Sequence, residues 1–397
     1  RWIMSRFTGL VLGAPREIMP GERRVAVVPE TVRAFVKEGA RVVVQSGAGA
    51  GAYYDDVAYT EAGAEVIADA REVFHRADVI LKVKEPKFNK SLQVHEADLI
   101  SEGTFLVCFL HPANPLNHDM VRTLAARKIT SFSLDSIPRI SRAQHMDALT
   151  SMSTVAGYKA VISAAHNLAR FVPMIPTDAG IIEPARVLVV GTGVAGLQAI
   201  ATAKRLGGRV KALDIRPEAN EQARSLGAAL VPFDLPEGAG VGESGYAQRL
   251  SEDWYQRERD CLAPAVAESD IVVLTALVPG ERAPILVDKA MVESMKKGSV
   301  IVDISIDQGG NCEVTRPGEE YSWHDVLVIG LINIPAYLAV DSTRMFAHNL
   351  YEYVNHIVVD GKIDANSRDE IVEKAIVTRD GAIIHKGTLK SMEGMRA

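Results

Sequence analysis

The sequence predicts an α/β protein of two doubly wound, Rossmann-like domains with parallel sheets, joined by long crossover helices with a cleft between them. Three observations predict it. Short β-rich runs and helical stretches alternate along most of the 397 residues, the mark of parallel sheets wrapped by helices. Residues 187–190 run as a buried strand into Gly191, Gly193 and Gly196, an Ala-rich helix follows to Leu206, and a second strand ends on Asp214. Two long helical stretches, 146–170 and 340–354, carry the chain out of one alternating region and back into it. A chain of this length also exceeds one ordinary core.

In the first region the pattern places strands at 11–12, 42–45, 79–83, 105–110 and 129–134, and helices at 30–38, 68–76 and 116–127. A polar loop, 139–144, leads into the helix 146–170. Leu149, Met152, Ala156, Ala160, Ala164 and Leu168 share one stripe of it, and Pro173 ends it. Further strands are expected at 229–231, 271–277, 300–304 and 326–331. Residues 340–376 read as helical again and 381–385 as a short strand. The expected domains are 1–145 with 340–397, and 146–339. Residues 232–247 are too long and too rich in Gly and Pro for a simple turn, so they read as a lid.

Each part of the glycine unit has a physical task. Gly191 makes the tight turn, Gly193 leaves the backbone open to a pyrophosphate, and Gly196 lets helix and strand pack closely. Val194 and Ala195 open the helix, whose free N–H groups and positive dipole end face the phosphates. Asp214 lies eighteen residues beyond Gly196, placed to accept from an adenosine ribose, which favours NAD(H) over NADP(H). Ile215 and Arg216 beside it, and Thr275, Ala276 and Leu277 at the end of the next strand, complete the expected nucleotide site. Arg216 is also a potential partner for a 2′-phosphate.

Composition excludes several classes. Hydrophobic residues make up 47% and charged residues 24%, as in a soluble globular protein, and no apolar run reaches the eighteen residues a membrane span needs. The net charge of −6 gives no footing for nucleic acid. Cys108, Cys261 and Cys312 share no metal-ligand spacing and read as reduced thiols of a cytosolic protein, and no metal is expected.

Residues 137–162, with the segment Arg139-Ile-Ser-Arg-Ala-Gln144, resemble the loop and helix of the NAD(H)-binding domain I of proton-translocating nicotinamide nucleotide transhydrogenase. So do residues 191–204, Thr275-Ala-Leu-Val-Pro-Gly280, Gly309-Gly-Asn-Cys312 and residues 377–385. The resemblance runs almost the full length. It implies that Arg139, Gln144 and Asp147 hold the nicotinamide side of the nucleotide, that Thr150 replaces the family's serine, and that Tyr246 is the tyrosine of a mobile loop. It implies hydride transfer between NAD(H) and NADP(H), the latter held on a partner subunit. It also implies a homodimer, membrane proton-channel subunits on other chains, and a cytoplasmic place, peripheral to the inner membrane through those partners. Taken from the residues alone, Arg139, Gln144 and Asp147 read equally as a solvated helix start, with Asp147 favoured by the dipole.

A sister family, alanine dehydrogenase, shares the fold and is also resembled. Lys82-Val-Lys84-Glu-Pro86 and Phe109-Leu-His111 look like its substrate lysine and catalytic histidine segments, and Arg24 matches its carboxylate-binding arginine. Asp307, in Ile306-Asp-Gln-Gly-Gly310, and Asn333, in Asn333-Ile-Pro335, resemble its aspartate and asparagine motifs. Oxidative deamination needs such a cation and acid/base, whereas hydride passing between two nicotinamides moves no proton. Singly, His111 also reads as a structural histidine and Lys84 as a surface lysine paired with Glu85. Transhydrogenation is therefore the leading expectation, stand-alone alanine dehydrogenation through Lys84 and His111 the alternative, and an idle nucleotide sensor the third.

Overall fold

The computed structural model describes residues 5–236, 238–242, 247–278 and 282–394. Two compact units divide the chain: one runs to Met152 and resumes at Ala336, the other is Ser153–Pro335.

The first unit is built on an eight-stranded sheet in the order Ala382–Ile383, Ile376–Arg379, Thr130–Ser133, Phe105–Cys108, Val79–Leu81, Val11–Ala14, Arg41–Gln45, Glu65–Ile67. The six strands from Thr130–Ser133 to Glu65–Ile67 are parallel, and the two C-terminal strands join antiparallel. Both faces are covered, because alternate residues serve different cores. Val79 and Leu81 pack with Phe132, Phe346 and Tyr353, while Ile80 packs with Leu106, Val121 and Leu124.

The second unit has the order Ala229–Leu230, Arg209–Leu213, Arg186–Val190, Ile271–Leu274, Val300–Asp303, Val326–Ile329, Glu320–Trp323. All pairs are parallel except the last. Val187 and Val189 face one core and Leu188 and Val190 the other, which is why the strand reads as an unbroken apolar run. The order reverses at Arg186–Val190, and a doubly wound sheet opens a crevice at the C-terminal end of such a strand.

Several boundaries differ from the sequence expectation. The helix expected at 146–170 is Ala148–Asn167, preceded by a 3-10 turn at Ser141–Met146. It ends before Pro173, and Arg170 beyond its end donates to Asp270 Oδ1 at 3.3 Å and Glu183 O at 2.6 Å. The stretch 340–376 is not one helical region. Ala339–Ile357 is followed by a hairpin, Val358–Val359 with Lys362–Ile363, whose turn residues Asp360 and Gly361 have φ of 48° and 75°, and then by Glu370–Ala375. The helix Ala339–Ile357 lies wholly inside the first unit, and the chain enters that unit at Ala336, in the turn Ile334–Leu338. The short strand expected at 381–385 is Ala382–Ile383, and the helix Lys386–Gly394 follows it. No helix among the described residues is long and apolar enough to cross a membrane.

Candidate functional site

The glycine turn sits where the second sheet reverses. Gly191 has φ of 87°, a conformation that side chains resist, and a Cβ there would stand 2.7 Å from Ala276 N. Thr275 Oγ1 donates to Gly191 O at 2.8 Å, so the 275–277 segment braces the turn. At Gly196 a Cβ would fall 1.9 Å from Gly191 O, which fixes helix Val194–Arg205 tightly against its strand. Gly193 is different. It is the N-cap of that helix, with no side-chain cap bond, and among the described residues its Cβ would meet nothing closer than Arg216 Nη2 at 3.8 Å. Val194 and Ala195 are half-buried in the first helical turn. The uncapped helix start therefore presents backbone donors beside the one glycine with room above it, a cradle that fits a pyrophosphate.

Asp214 stands at the end of the adjacent strand, buried, with its carboxylate fully engaged. Oδ2 accepts from Thr192 N at 2.7 Å and from Arg216 Nη2 at 2.8 Å, while Oδ1 accepts from Arg216 N and Arg216 Nε, each at 2.9 Å. Asn220 clamps the same residue's backbone, accepting from Asp214 N at 2.9 Å and donating to Asp214 O at 2.7 Å. Ile215 is half-buried, and Gly240 packs against its carbonyl, where a Cβ would come within 2.5 Å.

Across the turn, the 275–277 segment is held by a residue that the motif reading left without a role. Asn311 Oδ1 accepts from Ala276 N at 2.9 Å, and its Nδ2 donates to Ala276 O at 2.9 Å and Pro284 O at 2.8 Å. Asn311 is pinned in turn by Asp303, whose Oδ2 accepts from Asn311 N and Cys312 N, both at 2.9 Å. Burial pushes the Asp303 carboxyl up to about 6, against the opposing pull of those N–H donors. Leu277 remains exposed. Asp307 is exposed, on the turn Ile304–Gln308, and its Oδ2 accepts from Asn333 N at 3.4 Å; Asn333 is buried with φ of 50°.

The described residues of the expected lid are tied together near 238–248. Val241 bridges Ala247, and Gln248 Nε2 donates to Ala239 O at 2.8 Å and Gly238 O at 3.3 Å. Tyr246 lies outside the described residues.

The remaining expected residues belong to the first unit. Arg139 and Gln144 are exposed on the loop and 3-10 turn before helix Ala148–Asn167. That segment is tied down by Arg142, whose two terminal nitrogens donate to Asp369 at 2.8 and 2.6 Å, and by Asn349 donating to His145 O at 2.7 Å. Asp147 caps the helix: it accepts from Thr150 N at 2.8 Å and from Thr150 Oγ1 at 2.6 Å. The pair's structural task is thus visible, and Asp147 N, donating to Gln144 O at 3.3 Å, ties the capped helix start to the turn that carries Gln144.

Arg24 is buried and already paired, donating from Nε to Glu22 Oε1 at 2.8 Å and from Nη2 to Glu22 Oε2 at 2.7 Å. His111, at φ of 44° and with a side chain 41% exposed, approaches Glu85 at 3.4 Å, and Lys87 holds the other Glu85 oxygen at 2.6 Å. Glu85 is therefore the partner of Lys87 and His111, not of Lys84 as expected of a surface pair; Lys84 is half-buried, and its backbone N–H donates to Glu17 at 3.4 Å. Desolvation disfavours the His111 imidazolium, but the carboxylates of Asp135 and Glu85 outweigh it and raise the ring above its ordinary pKa. Among the described residues no cluster of His, Cys, Asp and Glu could hold a metal.

Two family models match: alanine dehydrogenase/PNT, N-terminal domain, over residues 13–156, and alanine dehydrogenase/PNT, C-terminal domain, over residues 160–386. The chain is similar to the first of the polypeptides that make up NAD(P) transhydrogenase subunit alpha in Rhodospirillum rubrum, at 43% identity across 94% of this chain and 97% of that one. The crystal structure of transhydrogenase from Sinorhizobium meliloti superposes with a TM-score of 0.80 and 35% identity, covering 95% of this chain and 99% of the other. Alanine dehydrogenase of Methanococcus maripaludis is 32% identical over 96% of each chain.

Proposed function

Since the chain belongs to the alanine dehydrogenase/PNT family, we propose that it is the alpha component of a proton-translocating NAD(P) transhydrogenase, passing hydride between NAD(H) and NADP(H) held on a partner subunit. NAD(H) is its nucleotide, and when bound it supplies the nicotinamide carbon that gives or takes the hydride. The chain's own task is to bind and orient. Backbone donors at Gly193, Val194 and Ala195 take the pyrophosphate. Asp214, with Ile215 and Arg216 beside it, takes the adenosine ribose, and Thr275, Ala276 and Leu277 line the far side, fixed by Asn311. Arg139, Gln144 and Tyr246 set the nicotinamide face, with Asp147 and Thr150 holding Gln144's segment in register. The reading places NADP(H)-binding and membrane proton-channel subunits on other chains, a homodimer of this one, and a cytoplasmic position at the inner membrane through those partners.

The observation that carries the choice within the family is similarity along nearly the whole chain, 43% identity to the transhydrogenase chain against 32% to the alanine dehydrogenase. Hydride transfer needs no acid, so Lys84 and His111 have no step to perform. The second reading, an NAD-dependent alanine dehydrogenase, rests on His111: held by Glu85 with a raised pKa, it suits a proton donor in reductive amination. Incubation with NAD and L-alanine separates the two. We expect no NADH to form; alanine oxidation that disappears in His111→Ala would establish the dehydrogenase instead.

A further inference from the structure

Helix Glu252–Glu268 carries a carboxyl group for which neither reading has a use. Glu258 is 2% exposed, and its Oε2 is buried without a hydrogen-bond partner among the described residues. Orphaned buried oxygens of this kind are rare, because each costs about 1–3 kcal/mol of lost solvation. Its surroundings connect it to the proposed ribose seat. The helix packs through Tyr255 and Leu262 into the same core as Leu213 and Ile215, which flank Asp214. Among the described residues, the charged and titratable groups on the elements packed against it are engaged elsewhere in part. Arg216 lies on Asp214; Arg259, on its own helix, is turned to Glu252 and Ile285 O; Tyr255 accepts from Leu250 N; and Lys289, on the neighbouring helix, sits over the Trp323 ring. Burial, reinforced by Asp214 and weakly opposed by Arg259, pushes Glu258 up to about 8, so the group is protonated at neutral pH.

Asp214 has no spare acceptor capacity in the present arrangement. Four donors fill its oxygens, three of them from Arg216, and a carboxylate offers roughly four lone-pair sites. A ribose diol can reach it only by taking the place of the Arg216 side chain, whose Nη2 also stands 3.8 Å from where a Gly193 Cβ would be, over the pyrophosphate cradle. From this geometry we propose that Glu258 is a proton-linked positioning residue: nucleotide entry draws the Arg216 guanidinium off Asp214, and Glu258 takes up a proton as it does so. The proposal rests on the nucleotide reading of this site. Its electrostatics have one sign. A neutral hydroxyl replaces a guanidinium beside Asp214, and the pyrophosphate brings further negative charge, so both changes favour the neutral form of Glu258. Deprotonating Glu258 then weakens the bound state.

Isothermal titration of NADH into the full chain at pH 8.5, in two buffers of different ionisation enthalpy, reads the proton directly. Fluorescence titration from pH 7 to 9.5 reads the affinity. We expect fractional proton uptake in the unsubstituted chain and an NADH Kd that rises with pH, on the order of tenfold for each unit by which the complex raises the Glu258 pKa. Glu258→Gln should bind NADH with no uptake and a flat profile. If that variant does not fold, Arg216→Gln serves, because Asp214 is then unpaired before nucleotide arrives and the uptake should shrink. Uptake retained in full in Glu258→Gln or in Arg216→Gln, or absent in the unsubstituted chain while NADH binds, overturns the proposal. Failure of the unsubstituted chain to bind NADH at any pH overturns the nucleotide reading with it.

Discussion

Two glycines three residues apart should respond to the same added methyl group in opposite ways. At Gly193 the backbone is ordinary, φ −70° and ψ −166°, and among the described residues a Cβ has no neighbour closer than 3.8 Å. Gly193→Ala therefore introduces no strain, and a less flexible unfolded chain favours it by about 0.4–1 kcal/mol. Its methyl group instead occupies the space through which a phosphate approaches the helix start. Loss of even one such close contact should weaken NADH at least tenfold, about 1.4 kcal/mol. At Gly196 the added Cβ would lie 1.9 Å from Gly191 O and 3.3 Å from Thr275 Oγ1. Ordinary contact begins near 3.4 Å, so helix Val194–Arg205 must back away from its own strand. Overpacking of that kind costs about 1–3 kcal/mol. Urea unfolding with and without NADH separates the effects: Gly193→Ala should unfold at or slightly above the parent's midpoint and lose the nucleotide's stabilisation, while Gly196→Ala should lower the midpoint without nucleotide. NADH binding by Gly193→Ala at the parent's affinity would refute the cradle.

Gln144→Asn shortens an exposed side chain that we assign to orienting the nicotinamide, so hydride transfer in single-turnover mixing should slow by about tenfold or more while NADH Kd changes far less; weak binding with normal turnover at saturation would count against the assignment. Arg142→Ala tests the tether of that segment. Asp369 is held well below the usual carboxylate range, first by Arg142, then by the Ile371 N–H and His356. Because its folded pKa is depressed, the stabilisation is present above about pH 4 and is lost as pH falls through the folded value. Arg142 is exposed, so the variant should lose only a small part of its stability at pH 7, with the gap to the parent closing below pH 4 in thermal melts.

What could be read from the sequence follows from how local its cause is. Gly191, Gly196 and Gly207 stand where backbone geometry or packing forbids a side chain, with φ of 87° at Gly191 and 85° at Gly207, and the strand at 187–190 is apolar throughout because both of its faces are covered. These features leave a signature within a few residues. The helix Glu252–Glu268 left none: it is charged along its length and contains Pro264, so nothing in its local pattern marked it as the carrier of a buried Glu258. Asn311 lay within a quoted motif, but its task depends on Ala276 and Pro284, 35 and 27 residues away, and on Asp303 beneath it. The hairpin turn at Asp360-Gly361 had an explicit Asp-Gly signal that the surrounding helical pattern masked. Arg24 and Asp214 teach the reverse. Their chemistry was legible, but only the fold shows that Glu22 and Arg216 already engage them.

In the proposed reaction this chain presents NAD(H) for hydride transfer to a second nucleotide on another subunit. The direct measurement mixes the purified chain, loaded with NADH deuterated at the transferring position of the nicotinamide, with the NADP-loaded nucleotide-binding component of a transhydrogenase, and follows the label by mass spectrometry. The account predicts deuterium on the product NADPH without passage through water, at a rate that His111→Ala leaves nearly unchanged. NADPH that stays unlabelled, or transfer abolished by His111→Ala, would contradict it.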